Sequence, residues 1–138
     1  MPAKDIYHDC VKIALIKDGW TVTHDPLSLK IGKKDIFIDL AAHKLLAAEK
    51  QGQKIAVEIK SFLGTSEIED LKNALGQYVL YQKILRYLAS DRRLYLAIRT
   101  TVFTQLFSQE IGQILLADNS LNLIIFNPEQ EVITQWIN

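Results

Sequence analysis

The spacing of apolar residues along the chain predicts one helix followed by three short strands. Apolar side chains recur at helical spacing over residues 4–18, and Gly19 follows at a position where helices commonly end. The next segment alternates apolar and polar residues around two turn signals, Pro26 and Gly32. It predicts strands at 20–24, 27–31 and 35–40, arranged as an antiparallel meander.

The middle of the chain predicts a short helix, a buried strand and a long helix. Residues 43–51 are helical in pattern, and an apolar strand follows at 54–62. Ser66 and Glu69 have the spacing of a capping box, in which the serine hydroxyl satisfies a free N–H of the first helical turn. Apolar residues then recur every three or four positions, which predicts a helix over 67–88.

The last third of the chain returns to strands around a further helix. Its apolar runs predict strands at 94–98, 121–126 and 131–137 and a helix around 102–117. This order of elements favours a mixed sheet flanked by helices over a doubly wound parallel sheet. The predicted fold class is therefore α/β, in the sense of an α+β mixed sheet.

Length and composition indicate one ordinary folded domain. The chain has 138 residues, of which 49% are hydrophobic and 23% charged, so we expect a single domain over 1–138. No apolar run approaches the roughly 18–20 residues that a membrane span requires, and the first residues lack the apolar core of a signal peptide. We therefore expect a cytoplasmic protein. Cys10 is the single cysteine, which excludes an internal disulfide and a cysteine-built metal cage.

Charge is balanced overall but unevenly distributed. The chain has 16 basic and 16 acidic residues, which removes the bulk attraction that drives non-specific binding to nucleic acid. The segment 83–99 is nevertheless basic, with Asp91 as its single acid, whereas residues 100–138 contain no Lys or Arg. The basic segment is suited to face phosphate groups, and the acidic one is not.

The stretch IAVEIKS at 55–61 places two charges in an otherwise apolar strand. Alternate side chains of a strand share a face, so Glu58 and Lys60 lie on the same side. Asp39 interrupts another apolar strand, DIFIDL. Buried carboxylates are costly without a partner, so Asp39 and Glu58 are expected to share a basic side chain or a cation. Mg²⁺ fits this pattern, with the carbonyl of Ile59 as a further ligand and Lys60 beside a water or phosphate.

Each of these residues also has an ordinary structural interpretation. An E-x-K pair is common on solvent-facing strands, where it forms a weak ion pair. Gln77 and Tyr81 share one face of the predicted long helix and fit normal helix packing. Lysines flank the predicted hairpin turn before Asp39, where they are either solvated or approach a phosphate backbone: Lys30, Lys33 and Lys34. The histidines show no metal-binding spacing and are interpreted as surface or capping residues: His8, His24 and His43.

An acid on one strand followed by E-x-K on the next resembles the PD-(D/E)xK nuclease superfamily, whose core is a mixed sheet flanked by helices. Ile38 stands where the superfamily name has proline, a variation that the superfamily often shows. QYVLY at 77–81 resembles the Q-x-x-x-Y motif of the RecB-like members. The resemblance implies a restriction-endonuclease-like core and Mg²⁺ or Mn²⁺ as cofactor. The implied catalytic residues are Asp39, Glu58, Lys60, Gln77 and Tyr81, and the implied metal ligands are Asp39, Glu58 and Ile59.

A further resemblance covers nearly the whole chain. The segments AKDIYHDCVKIALIKDGWTVTHDPL, KIAVEIKSFLGTSEIEDLKNALGQYVLY and ITQWIN are similar to the cyanobacterial XisH family, the fdxN element excision controlling factors. This resemblance implies a small protein with an endonuclease-like fold, needed for site-specific excision of a DNA element during heterocyst development. It implies as partners DNA, a small XisI-like protein and a separate site-specific recombinase.

Two functions remain open on the sequence. In one, the protein is a metal-dependent endonuclease. In the other, it is a non-catalytic regulator with a nuclease fold that binds an XisI-like partner or a recombinase. The balanced net charge and the apolar residues Phe103, Leu106 and Phe107 support the second function, although core packing accounts for such residues more often. A homo-oligomer is compatible with both.

Overall fold

A six-stranded mixed sheet forms the centre of the protein. The structure, a computed structural model, describes residues 5–44 and 52–138. No helix in these parts of the chain is both long enough and apolar enough to cross a membrane. The elements in chain order are α1 (His8–Lys17), β1 (Thr21–His24), β2 (Leu27–Ile31), β3 (Lys34–Ile38), β4 (Leu40–Lys44), β5 (Gln53–Ile59), α2 (Glu67–Tyr87), β6 (Arg93–Arg99), α3 (Thr100–Leu106), α4 (Glu110–Leu116), β7 (Leu123–Asn127) and β8 (Val132–Ile137).

The strand order across the central sheet is β1-β4-β5-β6-β7-β8. β5, β6 and β7 run parallel to one another, and the strands outside this group pair antiparallel. β2 and β3 form a separate antiparallel hairpin. The fold is therefore the expected mixed sheet flanked by helices, with a parallel centre whose strands end together at one edge.

The two faces of the sheet are covered by different helices. Ala56 of β5 packs into the cluster that contains the buried residues of α2 and α3. Ile55, Val57 and Ile59 point to the other face, where they join a cluster with Val11 of α1. This alternation confirms the predicted strand. Each fully buried aliphatic side chain of this size stabilises the fold by roughly 1.5–3 kcal/mol.

The long helix is confirmed, and the first helix starts later than predicted. α2 ends one residue before the predicted boundary, and Ser66 Oγ accepts a hydrogen bond from the backbone N–H of Glu69 at 3.2 Å, as a capping box requires. α1 begins at His8 because the Asp5 carboxylate accepts a hydrogen bond from the Tyr7 N–H at 2.9 Å and stabilises a turn there. Position 4 lies outside the described residues.

The predicted strand at 35–40 is in fact two strands of different sheets. β3 ends at Ile38 and pairs with β2, whereas β4 begins at Leu40 and pairs with β1 and β5. The predicted meander is therefore wrong, because β1 joins the central sheet and leaves β2 and β3 as a hairpin. Asp39 is the single residue between β3 and β4.

The predicted helix at 43–51 is wrong where the structure describes it. His43 and Lys44 belong to β4, and residues 45–51 lie outside the described part of the chain. Leu and Ala favour helices intrinsically, but Ala41 and Ala42 pair with β5 inside the sheet. Tertiary pairing overrides local propensity at this position.

The predicted helix at 102–117 is divided into α3 and α4. Between them the chain bends so closely that a Cβ on Gly112 would lie 2.2 Å from the Cα of Phe107. Leu106 and Phe107 are buried, and Phe103 stacks on Phe107 with ring centroids 5.7 Å apart. These residues pack in or against the core, which confirms core packing, the more common interpretation of such apolar residues.

Candidate active site

The predicted acids and lysine lie together at the carboxyl end of β5. Oδ2 of Asp39 accepts a hydrogen bond from the backbone N–H of Ile59 at 2.7 Å. Oε1 of Glu58 accepts one from the backbone N–H of Asp39 at 3.4 Å, and Oε2 lies 3.6 Å from Nζ of Lys60. We call Asp39, Glu58 and Lys60 the acid–lysine cluster.

Strand pairing explains why residues nineteen positions apart meet. β4 and β5 pair antiparallel with Leu40 opposite Val57, so the residue before Leu40 lies beside the residue after Val57. Beyond the end of β5, Lys60 donates its backbone N–H to the carbonyl of Ala97 on β6 at 3.1 Å. The cluster thus stands on the rigid sheet, at the edge where open α/β sheets commonly bind ligands.

Burial dominates the electrostatics of the two carboxylates. Glu58 is 5% exposed, and this burial, together with the nearby Asp39 charge, raises the pKa of Glu58 to about 8 even though Lys60 opposes the rise. Burial also raises the pKa of Asp39, against the hydrogen bonds that favour its charged form. A single lysine therefore leaves the pair of acids incompletely compensated, and added positive charge would stabilise both in ionised form.

The donor set of the cluster fits a hard divalent cation. Mg²⁺ is commonly held by one or two carboxylates and retains several waters. Within residues 5–44 and 52–138 no three His, Cys, Asp or Glu side chains are grouped to hold a metal ion. Asp39 and Glu58 would thus be the side-chain ligands, while the carbonyl of Ile59 stays a prediction as the third. This arrangement suits Mg²⁺ or Mn²⁺ better than zinc, which prefers a closed set of nitrogen and sulfur ligands.

Gln77 and Tyr81 lie one helical turn apart on α2. The charges of Asp39 and Glu58 contribute to a raised pKa of Tyr81, after the larger effect of burial, so this ring is near the acid–lysine cluster. Oε1 of Gln77 is buried and has no hydrogen-bond partner among the described residues. A buried carbonyl oxygen without a donor is unusual and marks Gln77 as ready to accept a hydrogen bond from a ligand or water.

One neighbouring group was misassigned from the sequence. His8 is buried at 3% exposure, so its interpretation as a surface or capping residue is wrong. Its Nε2 lies 2.5 Å from Oδ1 of Asp25, whose other oxygen accepts from Lys12 at 2.8 Å. Burial raises the pKa of Asp25, but the bonds from Lys12 and His8 outweigh it and lower the pKa overall. Asp25 is therefore ionised, and Nε2 is the nitrogen that carries the proton.

His8 lies near enough to the cluster that positive charge on its ring would favour the ionised form of Asp39. No spacing rule connects a histidine in a first helical turn with an acid before a later strand, so sequence reasoning missed it. The polar Asp25 beside Pro26 was the one available signal, and it indicated a turn.

Arg99 is a second group that sequence reasoning did not assign to this edge. It stands at the carboxyl end of β6 and donates from a terminal guanidinium nitrogen to the carbonyl of Ser61 at 2.7 Å. Its Cζ lies 5.0 Å from the centre of the Tyr7 ring. Its Nε is buried and has no hydrogen-bond partner among the described residues. Arg99 therefore brings a fixed positive charge to the segment that follows Lys60.

These features define the class of protein: a mixed α/β sheet with a buried acid–lysine cluster at the carboxyl end of its parallel strands. The chain belongs to the XisH family, since the family model described as XisH protein matches residues 1–134. No curated protein sequence matches the chain.

Two solved structures share the fold over almost the whole chain. One is an XisH family protein from Nostoc punctiforme PCC 73102, which is 42% identical with a TM-score of 0.84 and covers 97% of this chain and 100% of its own. The other is a fdxN element excision controlling factor protein from Anabaena variabilis, which is also 42% identical with a TM-score of 0.84 and covers 98% of this chain and 100% of its own. The family expected from the sequence is thereby confirmed.

Proposed function

We propose that this protein acts in site-specific excision of a DNA element during heterocyst development, as a metal-dependent endonuclease of the PD-(D/E)xK type. The proposal on excision draws support from the similar protein of Anabaena variabilis, which is described as a fdxN element excision controlling factor. The proposal on chemistry rests on one observation. The buried Glu58 and the half-buried Asp39 each accept a hydrogen bond from a backbone N–H beside the other carboxylate, and Lys60 lies 3.6 Å from Glu58.

The reaction is hydrolysis of a phosphodiester in DNA. A water gives up a proton as its oxygen bonds to phosphorus, the bond from phosphorus to the leaving deoxyribose oxygen breaks, and that oxygen takes up a proton. Asp39 and Glu58 would hold Mg²⁺ through their negative oxygens. The ion would supply positive charge there and lower the pKa of a water. Lys60 stands beside Glu58, where its ammonium stabilises the charge that develops on the phosphate and orients the attacking water. Gln77 and Tyr81 position the substrate or the lysine.

DNA approaches this edge of the sheet from the side of the β2–β3 hairpin. The hairpin leads directly into Asp39, and its turn carries exposed lysines about 17 Å from the cluster along β3: Lys30, Lys33 and Lys34. Contacts of these lysines to the phosphate backbone would fix the register of the duplex without reading its sequence.

A second candidate function is supported by the surface of α2. Apolar side chains on the outside of this helix are exposed: Ile68, Val79, Leu80, Tyr87 and Leu88 lie there or directly after it. A non-catalytic regulator would use such a surface to bind an XisI-like partner or a site-specific recombinase. In this function the cluster would serve the fold alone.

DNA cleavage separates the two functions. Supercoiled, linear and branched DNA are incubated with the protein and Mg²⁺ or Mn²⁺, with and without an XisI-like partner. We expect metal-dependent nicking that falls by a factor on the order of 10² or more in Lys60→Ala. Lys54→Ala is the matched control, because Lys54 is exposed at the opposite end of the same strand. If the protein cleaves DNA under none of these conditions, or if both variants cleave equally well, the regulator function is supported.

A further inference from the structure

The amino ends of β6 and β7 border a cavity that is separate from the acid–lysine cluster. Its volume is about 640 Å³, and it lies between the end of α2 and the loop before β7. β6 has seven residues, so its two ends are about 20 Å apart. A ligand in this cavity would therefore not contact Asp39 or Glu58.

Three arginines border this cavity. Arg86, Arg92 and Arg93 line it, and Asp91 is the one acidic side chain among the residues that do. Asp91 is itself paired with Lys54 at 3.3 Å. The part of the basic segment 83–99 up to Arg93, the first residue of β6, thus borders one cavity, whereas Arg99 lies at the other end of that strand.

The floor of the cavity is held by buried hydrogen bonds. The Tyr78 hydroxyl accepts from the backbone N–H of Asn122 at 3.0 Å, and the Asn122 side chain donates to the carbonyl of Leu94 at 3.1 Å. Burial raises the pKa of Tyr78, and the charges of Arg86 and Arg93 oppose that rise, so both guanidinium groups act on the same hydroxyl. The arginines therefore surround a floor that is already ordered.

Arg92 is held at the wall of the cavity. One terminal nitrogen of its guanidinium lies 3.2 Å from the carbonyl of Ile55 in β5 and 3.4 Å from that of Ala42 in β4. Burial lowers the pKa of this guanidinium, against the charge of Asp91. An anion in the cavity would offset the burial of Arg92 without moving it.

We propose that this cavity binds a small phosphorylated ligand of the mononucleotide class. Arginine is the preferred partner of phosphate, because its planar guanidinium donates two parallel hydrogen bonds. The cavity volume lies within the range of small-molecule sites, roughly 300–1,000 Å³. Next to the arginines, Leu85 and Leu94 line the cavity as buried apolar side chains, and Ser90 and Asn119 offer hydrogen bonds for a sugar.

Isothermal titration calorimetry at low salt tests the proposal, with inorganic phosphate, AMP and ADP as probes. We expect one site for AMP or ADP and weaker binding of inorganic phosphate. The variants Arg86→Gln and Arg93→Gln are expected to raise the Kd at least tenfold, because each removes an arginine that lines the cavity. Both side chains are exposed, so removing them leaves the fold intact. Thermal unfolding of each variant checks this. Lys83→Gln is the matched control on α2, since Lys83 is exposed and does not line the cavity.

Two further experiments identify the ligand and the place where it binds. Lys60→Ala should bind the nucleotide as well as the wild type does, because the acid–lysine cluster lies at the other end of the sheet. A loss of affinity in Lys60→Ala would overturn the proposal, as would unchanged affinity in both arginine variants. A single-stranded oligonucleotide without a terminal phosphate is the last probe. Binding of the oligonucleotide alone, or of no probe, would also overturn it.

Discussion

The two ends of the parallel strands hold charged side chains in opposite settings. At the carboxyl end, Asp39 and Glu58 are mostly buried, and their pKa values are raised chiefly by that burial. At the amino end, Arg86 and Arg93 are exposed around an open cavity and need no partner for stability. Burial of charge reduces stability, so the carboxyl end is the one whose arrangement calls for a functional explanation.

The largest expected effect, on both cleavage and stability, comes from replacing Asp39 at the carboxyl end. Asp39→Asn keeps an oxygen that accepts from the Ile59 N–H but removes the charge, so cleavage should fall by a factor on the order of 10² or more while the fold persists. Asp39→Ala also leaves that buried N–H without its acceptor, which should cost a further 1–3 kcal/mol, roughly, in the free energy of unfolding. Cleavage rates and urea unfolding measure the two effects.

The matched control for Asp39 is Asp35→Asn, since Asp35 is exposed on β3. It should leave both cleavage and stability unchanged. Wild-type cleavage by Asp39→Asn would show that the carboxylate has no part in the reaction.

A smaller effect is expected on the pH dependence of stability. Glu58 has a pKa of about 8 in the folded protein against 4.5 for an unperturbed glutamate, so the folded state binds more protons than the unfolded state between these values. The free energy of unfolding should therefore fall as pH rises from about 4.5 to about 8, at about 1.4 kcal/mol for each unit of pKa difference. Glu58→Gln cannot ionise and should lack this fall.

Urea unfolding in the presence of a chelator, at pH 5 and pH 8.5, measures this difference. From pH 5 to pH 8.5, the free energy of unfolding of Glu58→Gln should rise by on the order of 2–4 kcal/mol relative to that of the wild type. Glu69→Gln, at an exposed position of α2, is the control and should follow the wild type. Parallel curves for wild type and Glu58→Gln would mean that Glu58 titrates normally.

The smallest expected effects, on stability and cleavage, distinguish the roles of two tyrosines of α2. Tyr78 bonds to the N–H of Asn122 below the basic cavity, whereas Tyr81 lies near the acids. Tyr78→Phe should lower the free energy of unfolding by about 1–2 kcal/mol and leave cleavage intact. Tyr81→Phe should change stability by less than about 0.5 kcal/mol but slow cleavage. Equal effects of the two changes on cleavage would remove Tyr81 from the site.

Local sequence signals predict the grouping of Asp39, Glu58 and Lys60 better than they predict the strands around these residues. The E-x-K strand and the capping box each depend on neighbouring residues, and the structure has both. The structure places the predicted acid, Asp39, beside Glu58, although in a different setting from the predicted strand. Asp39 connects β3 of the hairpin to β4 of the central sheet, so it does not interrupt a single strand. The chain divides there because β4 pairs with β5, and only long-range contacts determine that pairing.

Buried polar groups were the other failure of sequence reasoning. His8 lies in a helix whose pattern places it no deeper than its polar neighbours, yet it is buried against Asp25. The arginines of segment 83–99 look like one basic group in the sequence, yet β6 carries Arg93 and Arg99 to opposite ends of the sheet. Neither outcome follows from periodicity, because both depend on which elements pack together.

Divalent-cation binding tests the central claim, that the acid–lysine cluster is a metal site, more directly than any assay of cleavage. Thermal unfolding is measured at pH 8 with increasing Mg²⁺ or Mn²⁺, for wild type and Asp39→Asn. A cation that binds only the folded state raises the unfolding temperature with concentration. We predict such a rise for the wild type and its loss in Asp39→Asn. No rise in the wild type, or an equal rise in both proteins, would contradict the account.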